Sequence, residues 1–284
     1  MISKIFRIAQ MLVLAGFALN TAAWATDPGT DPATDSATES ATDFATDRTT
    51  CSNASLRGPY GFQHDGTDST GAPATAAVSQ ITFDSAAGTF TVETTASHEG
   101  VIATESLTGT YTVDSNCTGT GTPTGATPFA IVITSTGFLA LHPFSEGFAV
   151  KQGSPSCSNA AVKGSFGFET TGLFLAGAPA AEWVSFIGDL KLTVSPSGEG
   201  VISGRVAGSE GATTLAFAPV TGSYTVDKDC RGRATLRLKG RSEMHFSFVV
   251  VDDGKEMLAV ETDADTVVSG TLASDSSRRS SREP

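Results

Sequence analysis

The sequence predicts an all-β protein built from two tandem antiparallel up-and-down β-barrels. Three observations predict it. The composition suits strands and tight turns: 30 of the 284 residues are Gly, Thr is abundant, and only 17% are charged. Helical chains carry more Glu, Lys, Leu and Ala. A long block of pattern occurs twice. Within each copy, short segments of period-two alternation are separated by turn residues.

The duplication rests on matching landmarks in the same order. The first copy opens Cys51-Ser-Asn-Ala-Ser-Leu-Arg-Gly-Pro-Tyr-Gly-Phe62, the second Cys157-Ser-Asn-Ala-Ala-Val-Lys-Gly-Ser-Phe-Gly-Phe168. Later the first reads Gly109-Thr-Tyr-Thr-Val-Asp-Ser-Asn-Cys117 and the second Gly222-Ser-Tyr-Thr-Val-Asp-Lys-Asp-Cys230. Each copy thus holds one Cys at its opening and one after its Tyr-Thr-Val-Asp. Four cysteines allow three connectivities, and the repeat favours Cys51–Cys117 with Cys157–Cys230. Each bridge would close a long loop and contribute on the order of 4 kcal/mol by constraining the unfolded chain.

In the second copy the alternation predicts strands over 164–170, 182–194, 199–206, 213–227 (long enough for one strand or two), 231–239, 244–251, 256–262 and 266–273. Ser195-Pro-Ser-Gly198, Asp252-Asp-Gly254 and Asp263-Ala-Asp265 read as the turns between some of them. The first copy has a similar series, with turns at Asp84–Gly88 and Ser135–Gly137. Eight short strands in each copy suit a closed barrel, with β-sandwiches as the alternative. A barrel leaves no free strand edge.

Two segments precede the copies. Lys4 and Arg7, an apolar run over residues 8–20 and Ala23-Trp24-Ala25 make a signal peptide with cleavage after Ala25. The apolar run is too short for a confident membrane span. Residues 26–50 repeat Thr-Asp/Glu-x-x with period four and hold one bulky apolar residue, Phe44, which predicts a disordered acidic spacer. The domains are therefore 1–25, 26–50, barrels over 51–153 and 154–273, and a disordered polar tail over 274–284. Export, to the extracellular space or a periplasm, agrees with an even cysteine count. The net charge is −12, and removing Lys4 and Arg7 leaves −14. Such a chain repels nucleic acid and anionic lipid.

The repeated motifs resemble those of a repeat domain found in secreted, mostly uncharacterised bacterial proteins. The short Gly-x-Tyr/Phe first strand and Gly-punctuated meander are also similar to calycin-type barrels such as lipocalins, avidins and allene oxide cyclase. In place of the Trp of the lipocalin motif stand Tyr60 and Phe166. The calycin likeness implies a barrel with a central pocket and brings no matched site residues.

No catalytic, metal or cofactor motif emerges. The four histidines, His64, His98, His142 and His245, lack metal-like spacing, and each reads as a surface or edge residue. No Ser sits in Gly-x-Ser-x-Gly. Asp68-Ser-Thr-Gly71 reads as a turn, and so does Asp252–Glu256, which has too few regularly spaced oxygens for calcium. Asn53-Ala-Ser55 and Asn116-Cys-Thr118 are N-glycosylation sequons. The most distinctive feature is a basic stripe: Arg231, Arg233, Arg237, Lys239 and Arg241 alternate with small or apolar residues, which on a strand puts five cations on one face. That face could bind a phosphate, a polyanionic glycan or the acidic spacer itself, or be a solvated exterior. Phe83, Phe90, Phe129, Phe138 and Phe148, with Trp183, Phe186, Phe217, Phe246 and Phe248, are the bulky candidates for the barrel interiors. Filled interiors leave the outer surface for function, whereas a hollow one would take a small apolar ligand. The sequence thus favours a secreted, non-enzymatic binding or surface-associated protein. The alternatives are an allene oxide cyclase-like enzyme or apolar-ligand carrier, and a structural envelope protein.

Overall fold

The computed structural model describes residues 50–67, 73–143, 145–153, 156–175 and 181–275. The signal peptide, nearly all of the spacer, Asp68–Gly71 and most of the tail lie outside these residues. The described residues fall within one compact unit.

The fold is two closed antiparallel barrels of eight strands each. Barrel one comprises β1 (Gly58–Thr67), β2 (Pro73–Asp84), β3 (Thr89–His98), β4 (Val101–Val113), β5 (Thr118–Pro123), β6 (Phe129–Ile133), β7 (Gly137–His142) and β8 (Ser145–Lys151). Barrel two comprises β9 (Gly164–Phe174), β10 (Glu182–Val194), β11 (Gly200–Glu210), β12 (Thr213–Val226), β13 (Arg231–Leu238), β14 (Glu243–Val251), β15 (Glu256–Glu261) and β16 (Thr266–Ser274). Each strand pairs with the next, and the eighth closes on the first: β8 on β1 and β16 on β9. The segment over 213–227 is one strand, with a bulge against β11 between Val206 and Gly208. No helix among the described residues is long and apolar enough to cross a membrane.

Turn chemistry sets the hairpins. The Asp84 carboxylate accepts the backbone N–H groups of Ala86 and Ala87 at 3.0 and 3.2 Å, which folds the β2–β3 turn. Asp252–Gly254 forms a 3₁₀ turn between β14 and β15, with Lys255 Nζ 3.6 Å from Asp252.

The repeated motifs close one end of each barrel. Cys51–Cys117 and Cys157–Cys230 are disulfides, with Cα–Cα separations of 4.9 and 4.8 Å. Beside each bridge an Asn joins the opening segment to the fourth strand. Asn53 Oδ1 accepts the Val113 N–H and Asn159 Oδ1 the Val226 N–H, both at 2.8 Å. The Tyr of the same strand donates back: Tyr111 to Leu56 O at 2.8 Å and Asn53 O at 3.0 Å, Tyr224 to Asn159 O at 2.9 Å. Leu56 and Val162, fully buried, sit at matching places in the two openings. The first sequon's Asn53 is thereby committed to the fold.

Inward positions fill the barrels. In barrel one Phe83 packs edge-on against Tyr111 and Phe138 with centroids 4.8 and 5.5 Å apart, and Phe90 is buried beside it. Phe129 is partly buried on the same cluster. Barrel two is more aliphatic, with Phe186, Phe246 and Phe248 among Val, Leu and Ile. Its remaining cavity is ≈ 30 Å³, lined by apolar side chains and Tyr224. Three expected core residues face outward instead. Phe148 pairs with outward Gln63 and joins the contact between barrels. Trp183 and Phe217 are exposed, Phe217 beside the β12 bulge and under the Arg205 guanidinium at 5.9 Å.

The barrels dock through their outer faces. Ala76 and Val78 of β2 pack on Val249, Val251, Leu258, Val260 and Val267 of β14–β16. Gly61 lies against Val249 and Val251 so closely that a Cβ there would have no room. Gln80 donates to Gln152 and to the Asp229 carbonyl, and Ser97 donates to the Thr266 carbonyl.

Tyr111→Phe or Tyr224→Phe removes the hydroxyl's hydrogen bonds to the opening segment and should lower the unfolding free energy by about 1 kcal/mol each. Asn53→Ala or Asn159→Ala should cost about 1–2 kcal/mol. Denaturant unfolding monitored by circular dichroism checks both; losses near zero would remove the closure from the account.

Candidate functional site

The first half of β13 alternates as expected: Gly232 and Leu236 face inward, Arg233 and Arg237 outward. The strand then stops. Leu238 accepts the Arg241 N–H at 3.0 Å, and Lys239-Gly240 makes the turn, with Gly240 at φ 85°. The five-cation face is therefore corrected to three cations on the strand, because Lys239 lies in the turn and Arg241 beyond it. Arg241 pairs with Glu210 and lies over the Phe186 ring at 5.3 Å. Arg237 pairs with Glu243 at 2.6 Å on the exposed exterior.

Arg231 and Arg233 face the other barrel. Arg231 donates from Nε to Asp229 Oδ2 at 2.7 Å and also pairs with Glu93 of β3. Burial works against its charge, but the hydrogen bonds and charges of Asp229 and Glu93 outweigh it and raise the Arg231 pKa. Arg233 lies between Thr225 and Ser247 in the pairing and has no ion-pair partner among the described residues.

These two arginines line a groove of ≈ 300 Å³ between the barrels. Glu93 and Thr95 of β3 and Ile102 and Thr104 of β4 form one wall. Asp227, Arg231, Arg233, Ser247, Val249 and Thr262 form the other. The lining mixes hydroxyls, two carboxylates and two guanidiniums, and Arg231 is already neutralised.

Two further polar clusters stand at the barrel ends. In barrel two Glu261 faces inward opposite Phe246 and is fully buried. Burial, with the charge and hydrogen bond of Asp263, pushes its pKa up to about 8 against a smaller opposing pull from Arg241. Asp263 in turn accepts from the His245 backbone N–H and holds His245 Nδ1, both at 2.7 Å. In barrel one the run Tyr60, Phe62, His64 keeps one parity, so His64 points into the barrel, stacked on Phe62 at 5.2 Å. The surface reading of His64 is thus corrected. Burial, then the charges of His98 and His142, lowers its pKa to about 4, and its Nδ1 has no hydrogen-bond partner among the described residues. His98 Nδ1 lies 3.2 Å from Thr75 Oγ1, and His245 is half-exposed on the outer face of β14. Among the described residues no group of three or more His, Cys, Asp or Glu converges to hold a metal ion. Sequence reasoning missed the inward Glu261, although it follows Met257 and Ala259 at alternate positions.

Neither a protein-family model nor a curated protein matches the chain. A solved structure of a protein of unknown function from the DUF3598 family of Nostoc punctiforme is similar over 78% of this chain and 97% of its own. The identity is 10% and the TM-score 0.23, too slight a likeness to assign fold or function.

The two buried groups set opposite pH limbs. Glu261, raised from 4.5 to about 8, contributes stability in full below pH 4.5, and this is lost as pH rises through about 8. His64, lowered from 6.5 to about 4, contributes stability present above pH 6.5, and this is lost as pH falls through about 4. Glu261→Gln should flatten the alkaline limb of a melting-temperature profile and His64→Phe the acid limb. A Glu261→Gln profile that keeps the parent's alkaline slope would exclude a buried neutral Glu261.

Proposed function

We propose that the protein is an exported, non-enzymatic binding module that takes its ligand on its outer surface, in the groove between the barrels. One observation carries this reading: the cavity inside barrel two is ≈ 30 Å³, about one water molecule, whereas the groove is ≈ 300 Å³. A calyx carrier or a cyclase-like enzyme needs a hollow apolar interior, and barrel two fills that space with Phe168, Phe246, Phe248 and aliphatic side chains.

The groove's chemistry favours a short acidic glycan. Thr95, Thr104, Ser247 and Thr262 offer hydroxyls that both donate and accept, as sugar hydroxyls do. Arg233 offers a guanidinium for one carboxylate or sulfate. The signal-peptide pattern over residues 1–25 and the two disulfides support export, and the net charge of −12 opposes nucleic acid as a partner.

Isothermal titration with uronate and sulfated di- and tetrasaccharides tests the proposal. The parent should bind, Arg233→Ser should lose at least tenfold in affinity, and Arg237→Ser should leave it unchanged. No binding by the parent, or an equal loss with Arg237→Ser, would overturn the groove as the site.

A further inference from the structure

The duplication places the same outer face on both barrels, and only one of the two is covered. The strand pairings set the equivalence. Gly119 pairs with Val113 and Ile131 as Gly232 pairs with Val226 and Phe248. One residue on, Val132 holds the place of Val249. The next pairing puts Leu139 at the place of Leu258 and Leu141 at that of Val260. In barrel two these three residues are buried against Ala76 and Val78 of barrel one. In barrel one their counterparts Val132, Leu139 and Leu141 are 47%, 51% and 62% exposed. With Ala130 and Phe148 they line a mainly apolar groove of ≈ 470 Å³ that also holds Asp65 and Glu146. Phe148 also belongs to the contact between barrels, so the free face is continuous with the covered one.

The receiving face is duplicated as well. Tyr60 pairs with Ile81 as Phe166 pairs with Leu190, so Val78 and Ile187 occupy one position on their barrels. Val78 is buried under barrel two. Ser185 stands at the place of Ala76; Ile187 is 54% exposed, and Trp183, on the same face of β10, is 59% exposed. Each barrel thus carries a docking face and a receiving face. The internal contact uses the docking face of barrel two and the receiving face of barrel one, and leaves one of each free at separate places. Unpartnered apolar clusters of this kind mark interaction sites.

The geometry points to a second copy of this chain as the occupant, with the β6–β7 face of barrel one seated on the β10 face of its neighbour's barrel two. The contact repeats the internal one and joins two different surfaces, so it is head-to-tail and propagates into a chain or closes into a ring. It lacks the ion pair that assists the internal contact. At the positions of Glu93 and Arg231 stand Arg205 and Thr118. Association is therefore mainly apolar in origin. The faces lie apart from the groove proposed for glycan, so the two readings can fail separately.

Sedimentation velocity with complementary variants tests this. The parent's mean mass should rise with concentration. Leu139→Asp and Ile187→Asp should each be monomeric, with thermal melts like the parent's because both side chains are exposed. Mixed in equal amounts they should form one dimer and grow no further, since one intact docking face and one intact receiving face remain. Leu139→Ser and Ile187→Ser serve in the same way should either Asp variant melt early. A parent that stays monomeric to its solubility limit would overturn the proposal. So would an Ile187→Asp variant that still dimerises, which would mean that the Leu139 face pairs with itself.

Discussion

Closure governs this molecule. Once eight strands pair around a ring, every strand has two hydrogen-bonded neighbours, and each side chain faces either the interior or the exterior. The interior is narrow, so its positions must be filled with little left over. Phe83, Phe90 and Phe138 do this in barrel one, and Leu190, Phe246 and Phe248 in barrel two. In barrel two the space left over is ≈ 30 Å³.

The duplicated motifs lock that closure at one end. A disulfide, an Asn side chain and a Tyr hydroxyl tie each opening segment to the strand that ends its Tyr-Thr-Val-Asp run. The opposite ends carry polar groups that the closure does not use: Glu261 with Arg241 and Glu210, and His64 near His98 and His142. The contact between barrels adds a third region, where apolar exteriors meet and a polar groove opens beside them.

Much of the fold was legible in the sequence because turn residues and parity are local. Asp84, Ser195–Gly198 and Asp263–Asp265 marked their hairpins, and the repeat selected the disulfide pairing. Phe148, Trp183 and Phe217 defy parity because strands with apolar residues on both faces have no obvious inside. Val78, Val249 and Val260 are apolar on the exterior, as a docked barrel requires. Along the basic stripe, alternation located Arg231 and Arg233 on one face, but it ran past the Lys239-Gly240 turn. The groove itself needs Glu93 and Arg231 brought together from the two copies, and no local pattern encodes that meeting.

The central claim is that the barrel interiors are filled and function lies outside them. Native mass spectrometry of the exported protein, purified without refolding, tests it most directly. The account predicts the mass of the mature chain less four hydrogens for two disulfides, with no apolar molecule retained. A stoichiometric apolar adduct that survives desalting would contradict it and make a barrel interior the site.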